Sequence, residues 1–133
     1  MIEQTLSIIK PDAVERNLEY KIKHYFEKNN LKILKFKKVK ISKEEASEFY
    51  KVHQTKPFYD ILCSYLSSGP IVAMILEGEN VVSKNRELMG ATDPAKANEG
   101  TLRKMYGLSI DKNSVHGSDS IENAKIEINF FFK

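Results

Sequence analysis

The side chains able to do chemistry in this chain are few, and their types are uneven. All but three of its 21 basic residues are lysines, so Arg16, Arg86 and Arg103 stand apart as guanidinium forks in a chain that uses ammonium groups for generic charge. Such forks fit carboxylate or phosphate oxygens two at a time, which a lysine does not. There are three histidines, His24, His53 and His116. His24 shares a helical face with Lys21 and Lys28, opposite an apolar stripe, and reads as solvated. His53, in "FYKVHQTKPF", sits beside aromatics at a helix boundary, and a surface position and a pocket position fit it equally. His116 lies in "NSVHGSDSIENAKIE", with glycine after it and then a helix start capped at Asp119, with Glu122 as its capping-box partner. An imidazole ahead of a helix N-terminus stands where free N–H groups and the helix dipole favour an anion. Gly117 reads as room for an approaching phosphate, and Glu127, two helical turns on, can reach the ring through or beside Ser118. A carboxylate on one ring nitrogen fixes the tautomer and leaves the other nitrogen free to attack. Taken alone, this stretch is still better read as a histidine completing a turn.

The segment between residues 90 and 117 adds to the case. It holds four of the six glycines and Pro94, and Arg86 and Arg103 flank it. Thr92 and Asn113 offer a hydroxyl and an amide within it. Arg86 can equally decorate a helix, and Arg103 can equally pair with a carboxylate such as Glu99. No Walker A loop or GxGxxG is present, so a nucleotide site here has to use side chains. No two histidines stand at metal spacing and Cys63 has no cysteine partner, so a protein-built zinc site is not expected.

The elements that must position these groups can be read from periodicity. "TLSIIK", Thr5 to Lys10, is a short strand closed by Pro11. Leu18, Ile22, Tyr25 and Phe26 share one helical face. "NNLKILKFKKVKISK" alternates imperfectly between apolar residues and lysine, as in a bulged edge strand whose wet face is lysine. Nucleic-acid binding is the weaker reading of that stretch. Ser42 and Glu45 form a capping box opening a helix, and Pro57 opens another through about Leu66. "PIVAMILEG" is continuously apolar and β-branched, a strand buried on both faces, and the helix in "NVVSKNRELM" ends at Gly90. Strands alternating with helices give a two-layer α/β (α+β) domain over residues 1–133. A ferredoxin-like split βαβ arrangement with an antiparallel four-stranded sheet and added helices fits best. No run is long enough to cross a bilayer. The N-terminus lacks a secretory pattern, and a single cysteine, at helical spacing from apolar neighbours, suits a reducing cytoplasm as a core residue.

The segments "TLSIIKPDAV", "KPFYDIL", "SGPIVAMILEGENVV", "NRELMGATDPAKANEGTLR" and "NSVHGSDSIENAKIEI" together resemble nucleoside diphosphate kinase, from about Thr5 to Phe132. The resemblance implies a ping-pong phosphotransferase, Mg²⁺ as cofactor, and ATP and other nucleoside tri- and diphosphates as substrates. His116 matches the phosphorylated histidine, and Ser118 with Glu127 matches the pair that orients it. Lys10, Arg86, Thr92 and Arg103 match phosphate and ribose contacts, Asn113 the ribose contact and Phe58 the aromatic on which the base stacks. Tyr50 and His53 match positions lining the same pocket. Mg²⁺ would be held mainly by nucleotide phosphates. The resemblance also implies a homo-oligomer built from dimers, tetramer or hexamer. From the residues themselves a cytoplasmic location without a membrane partner is expected, and a nucleic-acid partner is not. Departures from the pattern are Glu19 and Tyr20 where a glycine is usual, Met105 where an acidic residue is usual, and a chain ending at Lys133 without the longer tail. These touch packing and subunit contacts, and the site set is complete.

Overall fold

The computed structural model describes residues 1–51 and 54–132. In chain order the elements are β1 (Ile2–Ile9), α1 (Pro11–Glu15), α2 (Glu19–Lys28), β2 (Lys32–Val39), α3 (Lys43–Phe49) and α4 (Tyr59–Leu66). There follow β3 (Ile71–Glu79), α5 (Val81–Met89), a 3-10 turn (Pro94–Lys96), α6 (Leu102–Tyr106), β4 (Val115–Gly117) and α7 (Ile121–Phe131). The sheet order is β2-β3-β1-β4 and every pairing is antiparallel. This is the ferredoxin-like α+β arrangement expected from the pattern.

Burial explains the order. β3 and β1 are the inner strands, and Ile71 to Leu76 are buried on both faces. β2 is an edge strand, mostly exposed, and its ladder to β3 slips between Ile33 and Lys35. The imperfect lysine alternation is therefore a bulge at a sheet edge. Alternation along β1 divides the interior into two cores. Leu6 and Ile8 pack with Ala46 of α3, Cys63 and Leu66 of α4, and Phe131 of α7. Ile9 packs with Ile22 and Phe26 of α2, Val81 and Met89 of α5, and Leu102 of α6. Each fully buried Leu or Ile contributes roughly 1.5–3 kcal/mol by leaving water.

Several local readings need adjustment. β1 begins at Ile2, earlier than Thr5, because its first residues pair with the far end of β3 (Ile2 opposite Glu79). α4 begins at Tyr59, two residues after Pro57. The cap of α7 is Ser120, whose hydroxyl accepts from the Asn123 N–H at 3.1 Å, and Asp119 instead accepts from the Asn123 side-chain amide at 2.6 Å. Adjacent Ser and Asp are both good caps, and the strand β4 just upstream decides which one lands at the helix start. The capping box at Ser42 and Glu45 is present in both directions, at 3.0 and 2.9 Å. His24 is exposed. Tyr20 and Met105, two of the departures from the family pattern, are exposed as well, so neither alters the core.

Candidate active site

His116 is the middle residue of β4, a three-residue strand that exists because it pairs with the end of β1. Its register partner is Ile8, with Val115 opposite Ile9 and Gly117 opposite Ser7. Directly paired residues project to one face, so the imidazole shares the face of Ile8, toward α3, α4 and α7. There its Nε2 lies 2.9 Å from Glu127 Oε1. Ser118 Oγ donates to the same oxygen at 2.8 Å, and Ser118 is itself tied to Leu6 of β1 by its own N–H (3.2 Å) and by the Leu6 N–H (3.3 Å). An ionised carboxylate only accepts, so Nε2 carries the proton in the neutral ring and Nδ1 keeps its lone pair. Tyr50 and Phe49 close the space beside the ring, with centroids at 6.3 and 5.4 Å in edge-to-face geometry. Burial, with the Glu127 carboxylate nearby, pushes the Tyr50 phenol up, so it stays protonated. Phe49 carries no local sequence signal for this position. Its place depends on packing against Phe130 and Phe131 of α7, which the local pattern does not encode.

The second group is cationic. Lys10 follows β1 directly and is buried, and its Nζ donates to Asn113 Oδ1 at 2.9 Å. Asn113 donates in turn to the Thr92 carbonyl at 3.0 Å. Arg103 of α6, 9% exposed, donates to the carbonyls of Gly90 (3.1 Å) and Val115 (3.0 Å), while its buried Nε has no partner. It therefore pairs with backbone and not with Glu99, because α6 turns it inward beneath β4. Burial, reinforced by Arg103, lowers the Lys10 ammonium to about 8, and burial, reinforced by Arg86, lowers the Arg103 guanidinium to about 10. Three cations thus crowd one region against their own repulsion, an arrangement that an arriving polyanion relieves. Arg86, on α5, is exposed and acts electrostatically on Asp119 as well as Arg103. The Asp119 carboxyl is held low mainly by its bond from Asn123. Thr92 is exposed at the rim. Phe58, just ahead of α4, is 41% exposed with Lys56 Nζ 5.7 Å from its ring centre. His53 lies outside the described residues.

Gly117 has a different reason from the one its sequence context suggested. A Cβ there would come within 2.3 Å of Asn85 Nδ2 and 3.0 Å of Met89, both on α5. The glycine makes room for a helix on the face opposite the imidazole, not for a phosphate.

Among the described residues no three His, Cys, Asp or Glu side chains come close enough to hold a metal ion. The same residues include no helix long and apolar enough to cross a membrane.

The imidazole thus has one nitrogen held by Glu127, and Arg103, one of the mutually repelling cations, bonds to the carbonyl of Val115 next to it. The family model for nucleoside diphosphate kinase matches residues 3–133. The chain belongs to that family. It is 59% identical over 131 residues to the nucleoside diphosphate kinase of Wolinella succinogenes, covering 98% of this chain and 96% of that one. To the enzyme of Persephonella marina it is 57% identical over 131 residues, covering 98% and 94%. A crystal structure of the Aquifex aeolicus nucleoside diphosphate kinase superposes with a TM-score of 0.98 at 40% identity, over 100% of this chain and 96% of that one. The chain is a nucleoside diphosphate kinase by family and fold: a phosphotransferase acting on nucleoside tri- and diphosphates.

Proposed function

We propose that this kinase works by a ping-pong reaction through a phosphohistidine at His116, in one domain spanning residues 1–133. The observation that carries the reading is the Nε2–Glu127 contact at 2.9 Å, which leaves Nδ1 as the free nucleophile. In the first half-reaction Nδ1 forms a bond to the γ-phosphorus of a nucleoside triphosphate, usually ATP. The bond to the bridging oxygen breaks, and the diphosphate leaves with that electron pair. In the second, a terminal phosphate oxygen of another diphosphate attacks the same phosphorus and the N–P bond breaks, regenerating the neutral ring. Phosphoryl transfer asks the protein mainly for alignment and charge stabilisation. Lys10, Arg86 and Arg103 would face the charged oxygens, and Thr92 and Asn113 would meet phosphate and ribose. His53 and Tyr50 would line the pocket. Ser118 and Glu127 would orient the ring, and Phe58 would stack on any base through its exposed face.

A cationic group such as Lys10, Arg86 and Arg103 suits Mg²⁺ arriving on the nucleotide, since Mg²⁺ keeps most of its shell as phosphate and water. When bound it would neutralise charge on the phosphate oxygens. Assembly as a homo-oligomer built from dimers, tetramer or hexamer, is supported by exposed apolar side chains such as Phe36, Leu108 and Ile110. A cytoplasmic location is supported by the single cysteine, which is free and buried.

The test is labelling with γ-labelled ATP and Mg²⁺. An acid-labile, base-stable phosphate should form on the protein, and unlabelled GDP or CDP should remove it. His116→Ala should abolish the label and lower turnover by about 10⁴-fold or more. A variant that still carries the label defeats the proposal, as does nucleotide binding by the parent chain with no phosphoenzyme.

A further inference from the structure

Beneath the cationic group lies a set of contacts that touches no nucleotide-facing atom. The Asp12 carboxylate, buried on α1, accepts from Ser114 Oγ at 2.8 Å, from Arg16 Nη2 at 3.1 Å and from the Tyr65 hydroxyl. Its own N–H donates to the Tyr65 oxygen at 2.7 Å. Arg16 Nη2 also reaches Ser114 Oγ at 3.2 Å and the Tyr106 carbonyl at 2.5 Å. Ser114 is fully buried and has φ 75°, a left-handed conformation that a residue with a Cβ adopts only when its surroundings impose it.

The positions of the partners give this set its meaning. Asp12 is two residues after Lys10, and Ser114 directly follows Asn113. Lys10 and Asn113 are joined by the Nζ–Oδ1 bond at 2.9 Å, and the Lys10 N–H donates to the Ser114 carbonyl at 2.8 Å. Two chain segments about a hundred residues apart are therefore laced three times within a few residues: side chain to side chain at Lys10, backbone to backbone at Ser114, and carboxylate to hydroxyl at Asp12. We propose that Asp12 is a positioning residue for the reaction. By closing on Ser114 it holds the Lys10 and Asn113 side chains in the register that receives phosphate and ribose, and it carries the strained turn that leads into β4 and His116. This rests on the reading that Lys10 and Asn113 bind the nucleotide.

A purely structural anchor would only stabilise the fold. Asp12 has a second effect, because its charge acts on Lys10. The charged groups bearing on Lys10 are Arg103 from α6, which with burial disfavours the ammonium, and Asp12 from α1 and Asp111 from the loop before Asn113, which favour it. Burial lowers the Lys10 ammonium to about 8, so the alkaline limb of kcat/KM, which reports the free enzyme, should reflect its deprotonation. Removing the Asp12 charge lowers Lys10 further and moves that limb to lower pH.

The test compares two variants of the full chain. Asp12→Asn keeps the shape and removes the charge. Ser114→Gly removes the bridging hydroxyl but suits the left-handed backbone. KM for each nucleotide, the pH profile of kcat/KM and the phosphoenzyme yield at saturating ATP are measured for both. Asp12→Asn should raise KM on the order of tenfold, as misplacement of binding groups does, and shift the alkaline limb to lower pH. Ser114→Gly should raise KM several-fold by the same route with the limb unmoved, and both should still label His116. Wild-type KM and an unmoved limb in both variants would overturn the proposal, whatever happens to Tm. If Asp12→Asn does not fold, an unchanged KM in Ser114→Gly is sufficient to overturn it. A parent chain that binds nucleotide without labelling would sink the phosphohistidine reading instead, and nucleotide Kd values in the same variants would still judge Asp12.

Discussion

The two halves of the site are held by opposite means. At His116 the polar groups satisfy one another: imidazole to carboxylate at 2.9 Å, hydroxyl to the same oxygen at 2.8 Å, with an aromatic wall behind. In the cationic half the groups are held against their preference. Lys10 and Arg103 are buried, each lowered by burial and by a neighbouring cation, and Arg103 Nε has no partner. In the proposed reaction the first half holds the nucleophile and the second meets the charged phosphate oxygens. A nucleophile needs a fixed orientation before the reaction, whereas an electrostatic clamp gains most when its attraction is released at the moment charge arrives.

The comparison predicts different responses to conservative substitutions. The larger effect belongs to Arg103→Lys. A single ammonium cannot reproduce the fork that spans the Gly90 and Val115 carbonyls and still face a phosphate. Steady-state kinetics should show kcat/KM lower by roughly 10²–10³. A loss below threefold would mean that Arg103 serves only to brace the end of α5 against β4. Glu127→Gln should come next, with kcat lower by about 10² and KM little changed. The amide can offer a donor to Nε2 and so favour the wrong tautomer. Single-turnover labelling would locate this loss in phosphoenzyme formation, and a loss confined to KM would remove Glu127 from the orienting role.

How much of this was legible in the sequence varied with the range of the interaction. The capping box at Ser42 and Glu45, the buried run in β3 and the bulged lysine edge of β2 are local or periodic, and each could be read directly. The cap falls at Ser120, one residue past Asp119, because "GSDS" offers three residues suited to a cap and the local pattern does not choose among them. Arg103 was visible as an informative residue, but its partners are carbonyls 13 and 12 residues away, which no spacing rule supplies. Phe49 and Ser114 carried no signal at all. One acquires its role from aromatics on α7, and the other from a positive φ that a serine does not announce.

Gly117 gives the smallest predicted effect, and it decides where the boundary between the halves lies. The glycine directly follows His116, which is why its sequence context reads as clearance for a phosphate. Its would-be Cβ points at Asn85, a fully buried side chain whose amide atoms have no partner, and at Met89 behind it. Alternation along β4 puts that direction on the face opposite the imidazole. An added methyl must therefore displace α5, not substrate. Gly117→Ala should lower stability by about 1–3 kcal/mol, as overpacking of a filled core does, measurable as a fall in the urea midpoint. The folded fraction should still form its phosphoenzyme with KM for nucleotide within twofold of the parent. A variant with unchanged stability and a raised KM would return Gly117 to the phosphate side and make the strand β4 part of the clamp.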